Sequence, residues 1–232
     1  MQDTHNGNGP RQGKQLGNTI LEFALVMTFL LPMFAGAFTI GMALAKSIQV
    51  TNVARDALVL LVRSTTDPNS GLDLSLTQNQ RIVVRAAQGL GLNSDAQYDP
   101  STTGNGVVYL SKVVKVGPTE CSVGTSNSPP WSTANCPNYG SYVFAYRVAI
   151  GNTTRWSSTL GSPGGTVQSN GTITAHDIAN NTSDQVSNFT GVTGMTLTAS
   201  TYALISEMFA DISSLNFFNV LPTTTVYARG FS

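Results

Sequence analysis

The hydrophobic pattern changes twice along this chain, and the first change is abrupt. A polar N-terminal stretch ends at Gly17, one acidic residue follows at Glu22, and from Phe23 to Ala45 no charged residue occurs. As a helix that run would be about 35 Å long, enough to cross the roughly 30 Å hydrocarbon core of a bilayer with some tilt. Pro32, Gly36 and Gly41 lie inside it; such residues are tolerated in membrane helices more readily than in soluble ones. Beyond Lys46 the pattern becomes amphipathic. Val50, Val53, Ala54, Ala57, Leu58 and Leu61 recur at helical spacing, flanked by Gln49, Asn52, Arg55, Asp56 and Arg63, so one face is expected to pack against a core. The helix is predicted to continue unbroken to about Thr66, where Asp67-Pro68-Asn69 ends it.

After a turn-like stretch over 68–75, Leu76–Leu90 reads as a shorter helix. Ile82, Val83, Ala86, Ala87 and Leu90 share a face, and Gly89 or Gly91 can end it. Asn93–Gly106 is a loop. Val107–Val116 and Tyr142–Ile150 are β-branched and aromatic and read as an antiparallel pair of strands. The polar stretch from Gly151 to Gly194 is long for one loop, and short strands at 165–167 and 172–174 are candidates within it. Met195–Leu204 alternates and reads as a third strand. Ile205–Leu221, with Phe209, Phe217 and Phe218, reads as a loop or short helix on the sheet, and Thr223–Phe231 as a fourth strand. The expected fold class is α+β: a long N-terminal membrane-spanning helix packed by its outer half on an antiparallel β-sheet head, with one shorter helix.

Three readings of the apolar run compete. One is a signal peptide cut after Ala43-Leu44-Ala45. Another is an uncleaved signal anchor. The third is a leader cut at Gly17, with the helix retained. A removable signal has no need of the amphipathic continuation past Lys46; a stalk entering a globular head does. Glu22 also asks for a reason, because a carboxylate costs about 2.5–3.5 kcal/mol near a bilayer centre and less near its surface. It sits in the first turn of a helix, where the macrodipole favours an anion.

Gly17-Asn18-Thr-Ile-Leu-Glu22-Phe23 resembles the processing site of type IV pilin precursors, in the Gly-x-x-x-x-Glu-Phe/Tyr form of the tight-adherence (Tad, Flp-type) branch. Asn18 to Val26, Phe38-Thr-Ile-Gly-Met-Ala-Leu and Val53-Ala-Arg-Asp-Ala are similar to the start of TadE-like minor pilins or pseudopilins. Thr223-Thr-Thr-Val-Tyr-Ala-Arg resembles their end more loosely, and the middle of the chain matches no motif. The resemblance implies a leader over 1–17, a pilin helix over 18–66 and a head over 67–232. It implies cleavage after Gly17 by a prepilin peptidase, which frees the amine of Asn18. It also implies pairing of Glu22 with such an amine during assembly, and partners in other pilin subunits and an inner-membrane assembly platform.

Composition narrows the rest. The 232-residue chain has no net charge and only 10% charged residues, well below the usual quarter. No basic patch suggests nucleic acid. Basic residues on both sides of the apolar run (Arg11 and Lys14 before it; Lys46, Arg55 and Arg63 after it) leave the orientation ambiguous. The two cysteines, Cys121 and Cys136, lie in a Pro-, Ser- and Asn-rich loop around Pro129-Pro130-Trp131. Closing that loop as a disulfide would stabilise by about 3 kcal/mol and would place the head outside the cytoplasm; unpaired thiols are the alternative. No zinc set accompanies them.

No catalytic motif is present, and no cofactor or metal is expected. His5 is near the N-terminus, His176-Asp177 reads as a surface turn, and Gly161–Gly165 reads as a turn, not a phosphate cradle. Asn152, Asn170, Asn180, Asn181 and Asn188 match the N-glycosylation pattern, which this composition generates by chance. Trp131 and Trp156 either pack on the sheet or present a binding surface. The resemblance makes the chain a structural pilus subunit in the inner membrane, and extracellular once assembled; the alternative is a membrane-anchored or secreted β-rich adhesin with no role in assembly.

Overall fold

A computed structural model of the chain describes residues 15–64, 77–92, 104–123, 129–168, 171–174, 177–213 and 225–232. Helix α1 runs unbroken from Gln15 to Ser64, through Pro32. It starts before Gly17, so the leader boundary drawn from the sequence falls inside its first turn. The predicted turn at 67–69 lies outside the described residues.

The two halves of α1 meet different surroundings. From Ile20 to Leu44 its large apolar side chains point outward on every side; Leu25 is 57% and Phe34 68% exposed. The hydroxyls of Thr28 and Thr39 turn back onto the helix, donating to the carbonyls of Ala24 and Ala35 at 2.8 Å, which satisfies them without solvent. From Val50 onward the amphipathic stripe is inside: Val50, Val53, Ala54, Ala57, Leu58 and Leu61 are all buried.

That stripe lies on a four-stranded antiparallel sheet of order β2-β1-β3-β4, formed by β1 (Gly106–Lys115), β2 (Tyr142–Gly151), β3 (Thr201–Asp211) and β4 (Thr225–Phe231). The fold is therefore α+β. The α1 stripe packs with Val108, Leu110, Val148, Ile150, Leu204, Met208 and Ala228. β4 approaches α1 closely at Gly230, where an added Cβ would lie 3.2 Å from Leu58. Helix α2 (Thr77–Ala86) covers the same core through Val83 and, just beyond it, Ala87 and Leu90. It ends before the expected Leu90, in a turn that carries Gly89 (φ 87°) and Gly91 (φ 68°), a conformation glycine adopts at no steric cost.

The opposite face of the sheet is covered by the long polar segment. Val113, Phe144, Ala203 and Ile205 pack there with Leu160, Ile173, Val186 and Phe189. A register shift between Lys112 and Val113 in the β1–β2 ladder lets Tyr146 face α1 while Phe144 faces the other way. In place of the expected short strands there is a single bridge, Val167 to Ile173. A 3₁₀ turn (Thr182–Asp184) and a short helix α4 (Phe189–Thr193) were not foreseen.

The third strand corrects the expectation most. It begins at Thr201, not Met195, and runs to Asp211, so Ile205–Asp211, expected as loop or helix, is strand. Met195 and Leu197 pack as loop against the second core. The physical reason is position: β3 is central and covered on both faces, so apolar residues fall on consecutive positions, Ala203-Leu204-Ile205 and Met208-Phe209-Ala210, and the alternation of a half-exposed strand is lost. Phe217, Phe218 and the rest of 214–224 lie outside the described residues.

At the far end, β1 leads into helix α3 (Pro118–Ser122), and Cys121 is bonded to Cys136 with a Cα separation of 5.8 Å. The disulfide is buried with Val116, Val143 and Ala179, and Trp131 packs against it.

Candidate functional site

The junction at the start of α1 gathers the residues singled out from sequence. Gly17 and Asn18 lie in helical backbone and Glu22 is exposed one turn further on. Asn18 and Glu22 are four apart, so they share a helix face. Glycine within a helix costs about 1 kcal/mol relative to alanine, which makes the turn at Gly17 easy to open.

The described helix from Thr19 to Arg63 is long and apolar enough to cross a membrane by length and composition. The exposed apolar half and the buried amphipathic half are thus one continuous element that joins the Gly17–Glu22 junction to the head.

Residues 17–58 match the family model of TadE-like proteins. This segment is TadE-like. The match ends within the buried half of α1, before the sheet begins. No curated protein and no solved structure matches the chain.

Within the head, two charged residues missed by the sequence reading are fully enclosed on the face of the sheet away from α1. Arg147 on β2 and Glu207 on β3 are 2% and 1% exposed. Arg147 Nη1 donates to the Gly161 carbonyl at 2.6 Å, and its guanidinium lies 4.7 Å from the Tyr109 ring and 5.0 Å from that of Phe144. Burial pushes the Arg147 pKa down to about 10, against the opposing pull of Glu207 and Tyr109. Among the described residues, Arg147 Nη2 and its neighbour across the ladder, Ser111 Oγ, have no hydrogen-bond partner. Glu207 accepts from the hydroxyls of Ser158 and Thr159, from the Thr159 amide at 3.2 Å and from Tyr227 Oη at 3.0 Å. Burial raises the pKa of Tyr227 above its ordinary value. With its carboxylate surrounded by donors, the cluster clamps the 157–161 loop onto the sheet. Its sequence signal was a lone charge inside each of two apolar strands.

The other candidates resolve into structural parts. Asp177 accepts from the amides of Ala179 and Asn180 at 2.9 and 3.1 Å, as a turn residue does; His176 lies outside the described residues. The amides of Gly164 and Gly165 donate to the buried Asp184 at 2.9 and 3.2 Å, so the chain's own carboxylate fills the glycine turn. Asn152 is buried, its side chain accepting from Thr154 and Arg155 and donating to the Gly104 carbonyl at 3.0 Å, a poor glycosylation acceptor. Among the described residues no group of His, Cys, Asp or Glu is placed to hold a metal ion.

Proposed function

We propose that this protein is a structural subunit, a minor pilin or pseudopilin, of a Tad-type pilus or a related secretion or adhesion apparatus. The observation that carries the reading is the Gly17–Glu22 junction at the start of a 50-residue helix whose first half is outwardly apolar and whose second half is the spine of the head. In this reading a prepilin peptidase cuts after Gly17, and residues 18–66 form a single-pass inner-membrane helix. Residues 67–232 lie outside the cytoplasm, in keeping with the Cys121–Cys136 disulfide. After cleavage the Asn18 amine is one helical turn from Glu22. Pairing the two, within a subunit or between neighbours, offsets the cost of a carboxylate at the lipid boundary. The role is structural, not enzymatic, and the partners are other pilin helices and the assembly platform.

N-terminal sequencing of the membrane-extracted protein tests this: a start at Asn18 is expected, and a start at Met1 or Lys46 overturns it. Glu22→Ala is expected to be cleaved normally yet enter fibres poorly. Normal fibres from that variant would remove the pairing role while leaving the processing step intact.

A further inference from the structure

Trp156 is half-buried in a polar turn, and neither the sheet core nor the pilin reading accounts for it. The turn follows β2, and a chain of hydrogen bonds ties it to the point where the apolar half of α1 ends. Lys46, the first charge after the apolar run, donates from Nζ to the Gly89 carbonyl at 2.5 Å, and Gln49 donates to the Gln88 carbonyl at 2.7 Å. The Asn105 amide donates to the Gly91 carbonyl at 2.6 Å, the Asn152 amide to Gly106 at 2.9 Å, and the Asp211 amide to Asn105 at 2.7 Å. Arg155 forms an ion pair with Asp211. The start of β1, the end of β2 and the end of β3 therefore lie together at the level of Lys46, on the end of the head that meets the apolar half of α1. The disulfide loop with Trp131 is at the other end of the same strands.

At this lower end Arg155 is 45% exposed at its side chain, and its guanidinium lies over the Trp156 ring at 4.6 Å. The Trp156 carbonyl accepts from Tyr109 Oη at 2.6 Å, which anchors the turn to the sheet. A partly buried Trp beside an exposed Arg, level with the end of a membrane-length helix, matches the composition of a membrane-interface belt: the indole sits among headgroups and the cation meets lipid phosphate.

We propose that the Asn152–Trp156 turn is a second membrane contact, which rests the lower end of the head on the bilayer with Trp156 in the headgroup layer and Arg155 and Lys46 on lipid phosphates. The inference rests on α1 spanning the membrane. It fixes the tilt of the head, because a helix alone leaves the head free to rotate and lean.

The chain has two tryptophans, so Trp131→Phe and Trp156→Phe variants each report one end. The full chain would be reconstituted in phosphatidylcholine–phosphatidylglycerol vesicles, with fluorescence read against lipids brominated high on the acyl chain and against aqueous iodide. Trp156 is expected to be quenched by bromolipid and shielded from iodide, and Trp131 the reverse. Arg155→Glu is expected to lower the bromolipid quenching of Trp156 by about twofold, as the cation is lost from the interface. Equal quenching of the two tryptophans overturns the proposal, as does shielding of Trp156 that appears only when other pilus subunits are present. Vesicle flotation separates the two failures: a chain that floats with Trp156 unquenched removes the contact alone, and a chain that does not float removes the spanning reading as well.

Discussion

The two halves of α1 are built from similar apolar residues in one unbroken helix, yet they are held by different forces. Around Leu25, Leu30 and Phe34 the side chains point outward on all sides, a distribution that is stable where the solvent is itself apolar. Around Val53, Leu58 and Leu61 the apolar residues are confined to one stripe and enclosed by the sheet. The stripe is stabilised by removal from water; the outward half has no protein to be buried against among the described residues. An apolar residue's contribution thus depends on which half it occupies, and the boundary falls at Lys46.

Substitutions can break or sharpen that comparison. The largest effect is expected from a buried charge. Val53→Asp, an unpaired carboxylate in the core, should destabilise the head by about 3–5 kcal/mol, read as loss of its cooperative thermal transition in detergent. Leu30→Asp should leave that transition in place and instead lower membrane insertion, by about 3 kcal/mol on insertion scales, read by flotation. If either variant shows the other's phenotype, the division at Lys46 is wrong.

Next is the disulfide. Replacing Cys121 and Cys136 by serine should cost the head about 3 kcal/mol, as expected for a closed loop of this length, and leave flotation unchanged. A smaller loss is expected from Glu207→Gln, about 1–3 kcal/mol, because one of the two oxygens that accept from Ser158, Thr159 and Tyr227 becomes a donor facing donors in a buried site. Thermal unfolding measures both. Neither should alter the proposed cleavage after Gly17, since among the described residues that position and the sheet are joined through α1.

The smallest effect is a pH dependence. Burial works to raise the Asp211 carboxyl, but hydrogen bonds from Ser213 and the pairing with Arg155 outweigh it and hold the pKa below its ordinary value. A folded-state pKa below the unfolded one means the stabilisation is present above the unfolded value, about 3.9, and is lost as pH falls through the folded one. Asp211→Asn is therefore expected to lower head stability slightly at neutral pH and to remove this part of its fall on acidification, so that the variant and the parent converge below the folded-state pKa.

Much of this was legible locally. Helical periodicity alone marked every residue of the α1 stripe from Val50 to Leu61, because a helix side chain's direction follows from its spacing. The β1 and β2 strands and their antiparallel pairing were legible from β-branched runs flanking a loop. The reading failed at β3, where burial on both faces erased the alternation that identifies a strand, and Met195–Ala199 alternated without being one. It also passed over Arg147 and Glu207, whose meaning depends on a loop more than forty residues from Glu207 in sequence folding over them.

What the sequence determined by itself is the one-dimensional logic of the chain: the Gly17–Glu22 junction, the apolar run, the amphipathic change at Lys46 and the two cysteines in one loop. Each is a local pattern whose physics needs only neighbours along a helix or within a turn. The tertiary structure alone decided the order β2-β1-β3-β4, the enclosure of Arg147 with Glu207, and the gathering of Lys46, Gly89, Asn105, Arg155 and Asp211 at one end of the head. Those depend on contacts between residues distant in sequence, and hydrophobic pattern says which face is buried but not what it is buried against.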